Sequence, residues 1–189
     1  YSRYPFIIRP RRFGKSLFMS MLETYYDCAQ KEDFDKNFSG TYIYGHKTPL
    51  QGQYYILHLD CSGIEADQAA LLFRNYVKGA LEYFLEYYRI EGREKFEEKE
   101  YLTAVDVLEG FCQRFQHVLG KRVFLMIDEY DQFANEVLST DAAKFKEITS
   151  TKGFLKAFYA RVKKYAGKVF DRIYITGVTP ISLDSMTSG

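Results

Sequence analysis

The sequence is short of the features that would send it to a membrane, a secretory route or a polyanion. No apolar run approaches the length of a membrane span, and the start Tyr1–Ser2–Arg3–Tyr4 carries no signal-peptide pattern. No charge predominates: 26 Lys plus Arg stand against 25 Asp plus Glu, a formal net charge of +1, so any anion binding must be local rather than global. Cysteine is scarce. Cys28, Cys61 and Cys112 are odd in number, far apart and without CxxC or Cys/His spacing, and read as buried thiols in a reducing cytoplasm. The three histidines, His46, His58 and His117, are isolated from any base–nucleophile or metal pattern and read as structural. There is no internal repeat, no low-complexity tract and no initiator Met. With a strand starting almost at residue 1 and polar turn formers over Asp184–Gly189, the sequence is expected to be a piece of a longer protein. Its 189 residues suit one partial α/β domain spanning 1–189.

What is present begins with Phe6–Leu17, a short apolar strand running into a basic turn that ends in Gly14–Lys15–Ser16. Such a turn makes a phosphate cradle. The N–H groups between Arg11 and Ser16 and the positive end of the next helix face a polyphosphate, Lys15 reaches the outer phosphates, and the Ser16 hydroxyl is placed to ligate Mg²⁺. The phosphate-loop pattern asks for Gly at position 9, where Arg9 stands, so the tripeptide is suggestive only until the rest of the chain supplies the other parts.

Phe18, Met21, Leu22 and Tyr25 recur at helical spacing, predicting a helix that Lys15 and Ser16 open and that runs to about Asp27. Residues 31–52, broken by Gly40, Gly45, Pro49 and Gly52, read as an irregular excursion with one short extended piece at Thr41–Tyr44. Gln53–Asp60 is a β-rich strand ending before the Ser62–Gly63 turn. Leu72, Phe73, Val77, Ala80, Leu81, Phe84 and Tyr88 mark one face of a long helix, and the charge run Glu91–Glu100 after it reads as a solvated loop or helix end. Val105, Leu108, Cys112, Phe115 and Leu119 signal a further helix stopped by Gly120. Val123–Ile127 is a continuous apolar run, as in a strand covered on both faces, and ends in Asp128–Glu129–Tyr130–Asp131. After a polar region come a helix with Phe154, Leu155, Phe158, Val162 and Tyr165 inward and a last strand, Arg172–Val178. Strands alternating with amphipathic helices predict an α/β fold with a mostly parallel sheet between two helical layers.

In such a sheet ligands gather beyond the carboxyl ends of the strands, and Gly14–Lys15–Ser16, Asp60, Asp128–Glu129 and Thr176 all fall at or just beyond such ends. Asp128 can hold Mg²⁺ together with Ser16, and Glu129 is then positioned to orient or deprotonate an attacking water. The competing reading is that the two carboxylates merely end a strand and cap a turn. Thr176 could hydrogen-bond the γ-phosphate, or serve as a β-branched packing residue. Asp60 reads as a turn former and Asp131 as the cap of the following helix. Arg11 and Arg12 either clamp phosphate, contact a partner or stand as solvated loop arginines.

Three of these stretches together resemble a known family: Ile8–Leu17 with its Arg-Pro-Arg-Arg-Phe-Gly-Lys-Ser core, Val123–Asp131, and Ile175–Ser182. They are similar to the AAA-ATPase-like proteins of bacteria and archaea, in which this arginine-rich loop is habitual, so that Arg9 becomes a signature. The Phe38–Tyr44 stretch also resembles that family's segment between the first helix and second strand. The resemblance implies an AAA-like P-loop NTPase domain, a three-layer α-β-α sandwich truncated at both ends, with the phosphate-loop strand beside the strand ending at Thr176. It implies a nucleotide ligand, with the loop from Arg11 through Arg12, Phe13, Gly14, Lys15, Ser16 and Leu17 holding ATP. Many members continue into a PD-(D/E)XK nuclease-like domain, through which nucleic acid would be a further partner; a fifth core strand and an arginine-finger region are likewise expected beyond Gly189, and oligomers are open.

The expectation is an ATP-binding, Mg²⁺-dependent NTPase core in which Lys15, Glu129 and Thr176 are catalytic and Ser16 and Asp128 hold the metal. One alternative is a regulatory switch that binds nucleotide and turns it over rarely. The other is a nucleic-acid-binding module using Arg9, Arg11, Arg12 and Lys15, against which stand the near-neutral charge and the helix-opening position of Lys15.

Overall fold

A computed structural model of the chain describes residues 2–62, 68–120, 122–132, 134, 135, 137 and 153–179. Gly63, most of the polar region before Gly153, and Pro180–Gly189 lie outside the described residues.

The elements follow in the order β1 (Phe6–Ile8), α1 (Lys15–Tyr26), α2 (Phe34–Phe38), β2 (Tyr55–Asp60), α3 (Ala69–Tyr87), α4 (Glu94–Glu97), α5 (Ala104–Leu119), β3 (Val123–Asp128), α6 (Phe154–Tyr165) and β4 (Phe170–Gly177). Short 3₁₀ turns occupy Cys28–Asp33 and Tyr42–His46. The strands form one all-parallel sheet in the order β1-β4-β3-β2.

Alternation along the strands sorts the core into two layers. Val123, Leu125 and Ile127 of β3, with Leu57 and Leu59 of β2 and Ile173 and Ile175 of β4, face α3, α5 and α6. Phe124, Met126 and Tyr174 point the other way and pack with Met19 and Leu22 of α1. A strand with a helical layer on each face is apolar along its length, and β3 is buried from end to end, apolar over Val123–Ile127 with the carboxylate of Asp128 at its last position. The result is the three-layer α/β architecture expected, with one all-parallel sheet between helices.

α1 has the expected length but a different inward face. Met19, fully buried, and Leu22 and Tyr26 meet the sheet, whereas Phe18 and Met21 stand about half exposed. The phase is set by Lys15, itself buried at the first turn: Met19 and Leu22 follow it at i+4 and i+7.

Two other expectations are corrected. Thr41–Tyr44 forms no extended piece; Tyr42–His46 winds into a 3₁₀ turn, with Tyr44 N–H donating to the Thr41 carbonyl and the Tyr42 ring stacked on His46. Aromatic and β-branched residues favour strands only where a neighbour supplies a ladder, and here Phe34 instead stacks with Phe38 and Tyr44 against Tyr25. The charge run Glu91–Glu100 is not simply solvated. It contains α4, whose Phe96 is fully buried against Tyr101, Phe111 and Phe115. Of the cysteines, Cys61 and Cys112 are buried and Cys28 is half-buried, all as free thiols. No helix among the described residues is long and apolar enough to cross a membrane.

Candidate functional site

The basic turn between β1 and α1 is held in an uncommon backbone conformation. Arg12 lies at φ 66 and Gly14 at φ 72, both left-handed, and the chain then turns directly into α1 with Phe18 N–H bonded to the Gly14 carbonyl. This winds the loop over the helix N-terminus, where unpaired N–H groups carry partial positive charge. Lys15 is only 8% exposed. Its ammonium donates to the carbonyls of Arg9 (3.2 Å) and Pro10 (3.3 Å) within its own loop.

The end of β3 faces this loop. Asp128, nearly buried, accepts from Glu129 N–H at 2.9 Å, and Glu129 itself adopts φ 49, a left-handed conformation costly for a residue with a Cβ. That kink carries the Glu129 carboxylate to the loop, with Oε1 3.8 Å from Lys15 Nζ. Burial pushes the Glu129 carboxyl above the usual range, reinforced by Asp128 and Asp131 and opposed by Lys15 and Arg11. Its Oε2 is buried with no hydrogen-bond partner among the described residues, and so is Thr176 Oγ1 on β4.

The strand ends are tied to each other at the same edge. Arg9 N–H donates to Gly177 O (3.1 Å), and Tyr130 N–H to Thr176 O (3.2 Å). Asp131, expected as a helix cap, is fully buried, and its carboxylate accepts from Val178 N–H, Thr179 N–H, the Thr179 hydroxyl and Asn135 Nδ2. Gly177 permits this approach, since a Cβ there would run into Asp131 Oδ1 and the Tyr130 ring.

Loop and strand end enclose a cavity of about 450 Å³ lined by Arg11, Arg12, Gly14, Lys15, Ser16, Leu17, Glu129 and Gln132. A family model described as Predicted AAA-ATPase matches residues 1–187. The chain belongs to the AAA-ATPase-like family. No curated protein and no solved structure matches it. As a member of a family of predicted AAA-ATPases it is, at that coarse level, a nucleotide-binding NTPase.

Most of the residues predicted for the AAA-ATPase-like site meet in this one cavity: the loop members except Phe13, together with Glu129. Phe13 is 69% exposed and not on the cavity wall. Asp128 and Thr176 are buried at adjacent strand ends and are not among the residues that line the cavity. Asp60 pairs in register with Asp128, at the exposed end of β2, and its carboxylate caps Ser62 N–H as a turn former does. Among the histidines, His58 makes a 2.7 Å contact to Glu23 away from the cavity, and His46 bonds the Tyr42 carbonyl. Two residues escaped sequence reasoning: Gln132 on the wall, and Asp131 as a tie between strands. Neither has a motif of its own.

Proposed function

We propose that the AAA-ATPase-like chain binds ATP with Mg²⁺ and hydrolyses it, in this cavity. The single observation that carries the reading is the meeting of Lys15 and Glu129 across it, a cation from the phosphate loop and a carboxylate from the end of the central strand. Hydrolysis needs these two groups, one to neutralise the outer phosphates and one to orient water.

The donor set fits the metal. Ser16 offers a hydroxyl and Asp128 a carboxylate, hard oxygens of the kind Mg²⁺ takes alongside phosphate oxygens. No group of three or more His, Cys, Asp or Glu residues among the described ones offers a dedicated metal cage, so these two would hold the ion with the polyphosphate. When bound, Mg²⁺ would neutralise charge developing on the phosphates. The protein's own groups do the rest. Lys15 leaves the Arg9 and Pro10 carbonyls for the outer phosphates, Arg11 and Arg12 add positive charge at the cavity mouth, and the loop N–H groups form the cradle. Glu129, with one oxygen unpartnered, holds the attacking water and accepts its proton. Thr176 Oγ1, likewise unpartnered, reads the γ-phosphate.

Calorimetric titration of ATP and GTP with Mg²⁺, joined to a phosphate-release assay, tests this. Saturable ATP binding with Mg²⁺-dependent release supports it. Binding without release, unchanged by Glu129→Gln, would show a nucleotide-binding switch instead. Absence of binding to either nucleotide would overturn the assignment of the cavity. DNA binding abolished by Lys15→Ala, with ATP affinity intact, would show a nucleic-acid module.

A further inference from the structure

The C-terminal ends of α1 and α3 converge on edge strand β2 and leave a second cavity, of about 420 Å³, between them. Carbonyls at a helix C-terminus concentrate negative charge, and chains usually answer it with Lys, Arg or His in the last turn. Neither α1 nor α3 has a basic residue there. α1 instead brings Glu23 in its last turn and Asp27 immediately after it, so two carboxylates sit at a negative pole.

Of the two, only Glu23 meets a group on the cavity wall that can carry positive charge, His58, whose partner carboxylate favours its protonated form against burial. Asp27, 3% exposed, is held by neutral donors alone among the described residues: Ala29 N–H at 2.9 Å, Gln30 Nε2 at 3.2 Å, and the hydroxyls of Tyr88 at 2.8 Å and Tyr87 at 3.5 Å. Glu23 meets His58 Nδ1 at 2.7 Å, and no Lys or Arg lines the cavity.

The other wall is aromatic. Tyr83, 67% exposed, stacks on Tyr87 with centroids 6.0 Å apart and planes at 22°, and Tyr87 packs edge-on to Tyr88. Tyr88 is fixed from both sides, since its hydroxyl donates to Asp27 and accepts from Ile56 N–H on the outer edge of β2. Ile56 and Ala80 supply apolar floor.

We propose that this cavity binds an alkylguanidinium group, either a free small molecule or an arginine side chain, with the planar cation between the carboxylates and the tyrosine faces and its stem along the apolar floor. A guanidinium suits the wall better than other ligands do. It stacks on aromatic rings and is weakly hydrated, so the tyrosine faces and the field of the carboxylates hold it while Asp27 keeps its four donors, whereas an inorganic cation would have to take those oxygens as direct ligands, and an anion would be repelled. The inference is independent of nucleotide binding in the first cavity.

The test is calorimetric titration of the chain with agmatine, with a blocked Gly-Arg-Gly peptide, and with uncharged n-butylurea. Saturable binding by agmatine or by the peptide, without binding of butylurea, is expected; agmatine alone would assign a free ligand, and the peptide would assign a chain-borne arginine. Tyr83→Ala should weaken that binding about five-fold through the lost cation–π contact. Glu23→Gln should weaken it about three-fold or more through the lost charge. Both positions are partly exposed, and circular dichroism melts confirm that the variants fold. No saturation by either cation, equal binding of butylurea, or an affinity unchanged in both variants would overturn the proposal.

Discussion

The Lys15 ammonium stands 3.8 Å from Glu129 Oε1 while donating to the carbonyls of Arg9 and Pro10, so one buried cation is shared between the phosphate loop and the end of the central strand. Lys15 thereby ties the loop both to its own backbone and to the end of β3.

The consequence for nucleotide is a separation of binding from chemistry. Lys15→Ala should weaken ATP binding about 10- to 100-fold by removing a charged hydrogen-bond donor. Glu129→Gln should leave ATP affinity within a few-fold of wild type and lower phosphate release about 100-fold or more. Titration calorimetry and single-turnover phosphate release measure the two effects separately. Equal loss of affinity in both variants would contradict the assigned division of roles.

Gly177 and Asp131 should behave as a structural pair. Gly177→Ala forces a Cβ into Asp131 and Tyr130 and should cost about 1–3 kcal/mol. Asp131→Ala strands the Val178 and Thr179 N–H groups and should cost about 2–4 kcal/mol. Urea unfolding midpoints read both, and the double variant should cost less than the sum because the residues touch.

Phe96 tests the corrected view of the acidic stretch. Phe96→Ala should lower stability by about 3–5 kcal/mol, as for a buried aromatic, whereas Glu98→Ala two residues away, exposed, should change it by less than about 0.5 kcal/mol. A small effect at Phe96 would mean that α4 does not anchor the core.

Glu109 supplies a pH dependence. It accepts from Lys164, from the Tyr165 hydroxyl and from Gln113, and pairs with Arg161, which ties α5 to α6. Burial opposes ionisation, but these partners outweigh it and bring its carboxyl down to about 2. A depressed folded value means stability that is present above the unfolded carboxylate range and lost as pH falls from about 4.5 towards 2. Solvent screening at this partly exposed cluster limits the contribution to about 1–2 kcal/mol. Thermal melts of wild type and Glu109→Gln should differ at pH 6 and converge near pH 2.

Much of the architecture was legible before any coordinates. β3 announced itself as a both-faces-covered strand because Val123–Ile127 has no polar break, and α5 because Leu108, Cys112, Phe115 and Leu119 keep a helical period. Local signals of that kind depend on neighbours in sequence, and the chain retained them. The phosphate loop was legible for the same reason, its residues being contiguous.

Less legible was anything decided by partners distant in sequence. Thr41–Tyr44 has strand composition, but among the described residues no strand runs beside it, and it winds. Phe96 looks solvated among charges until Phe111 and Phe115 arrive from α5 to cover it.

By itself the sequence determined the alternation of strands and helices, the parallel sheet and the residue types available for phosphate and metal, because periodicity and contiguous motifs are properties of the chain. Only the tertiary structure decided that Arg11, Ser16, Glu129 and Gln132 share one cavity while Phe13 stays outside it, and that Asp131 binds the exit of β4. It alone brought the ends of α1 and α3 together around Asp27. Those outcomes depend on helix phase, on where strand ends meet, and on what packs into the space beside Gly177, none of which can be read until the sheet has formed.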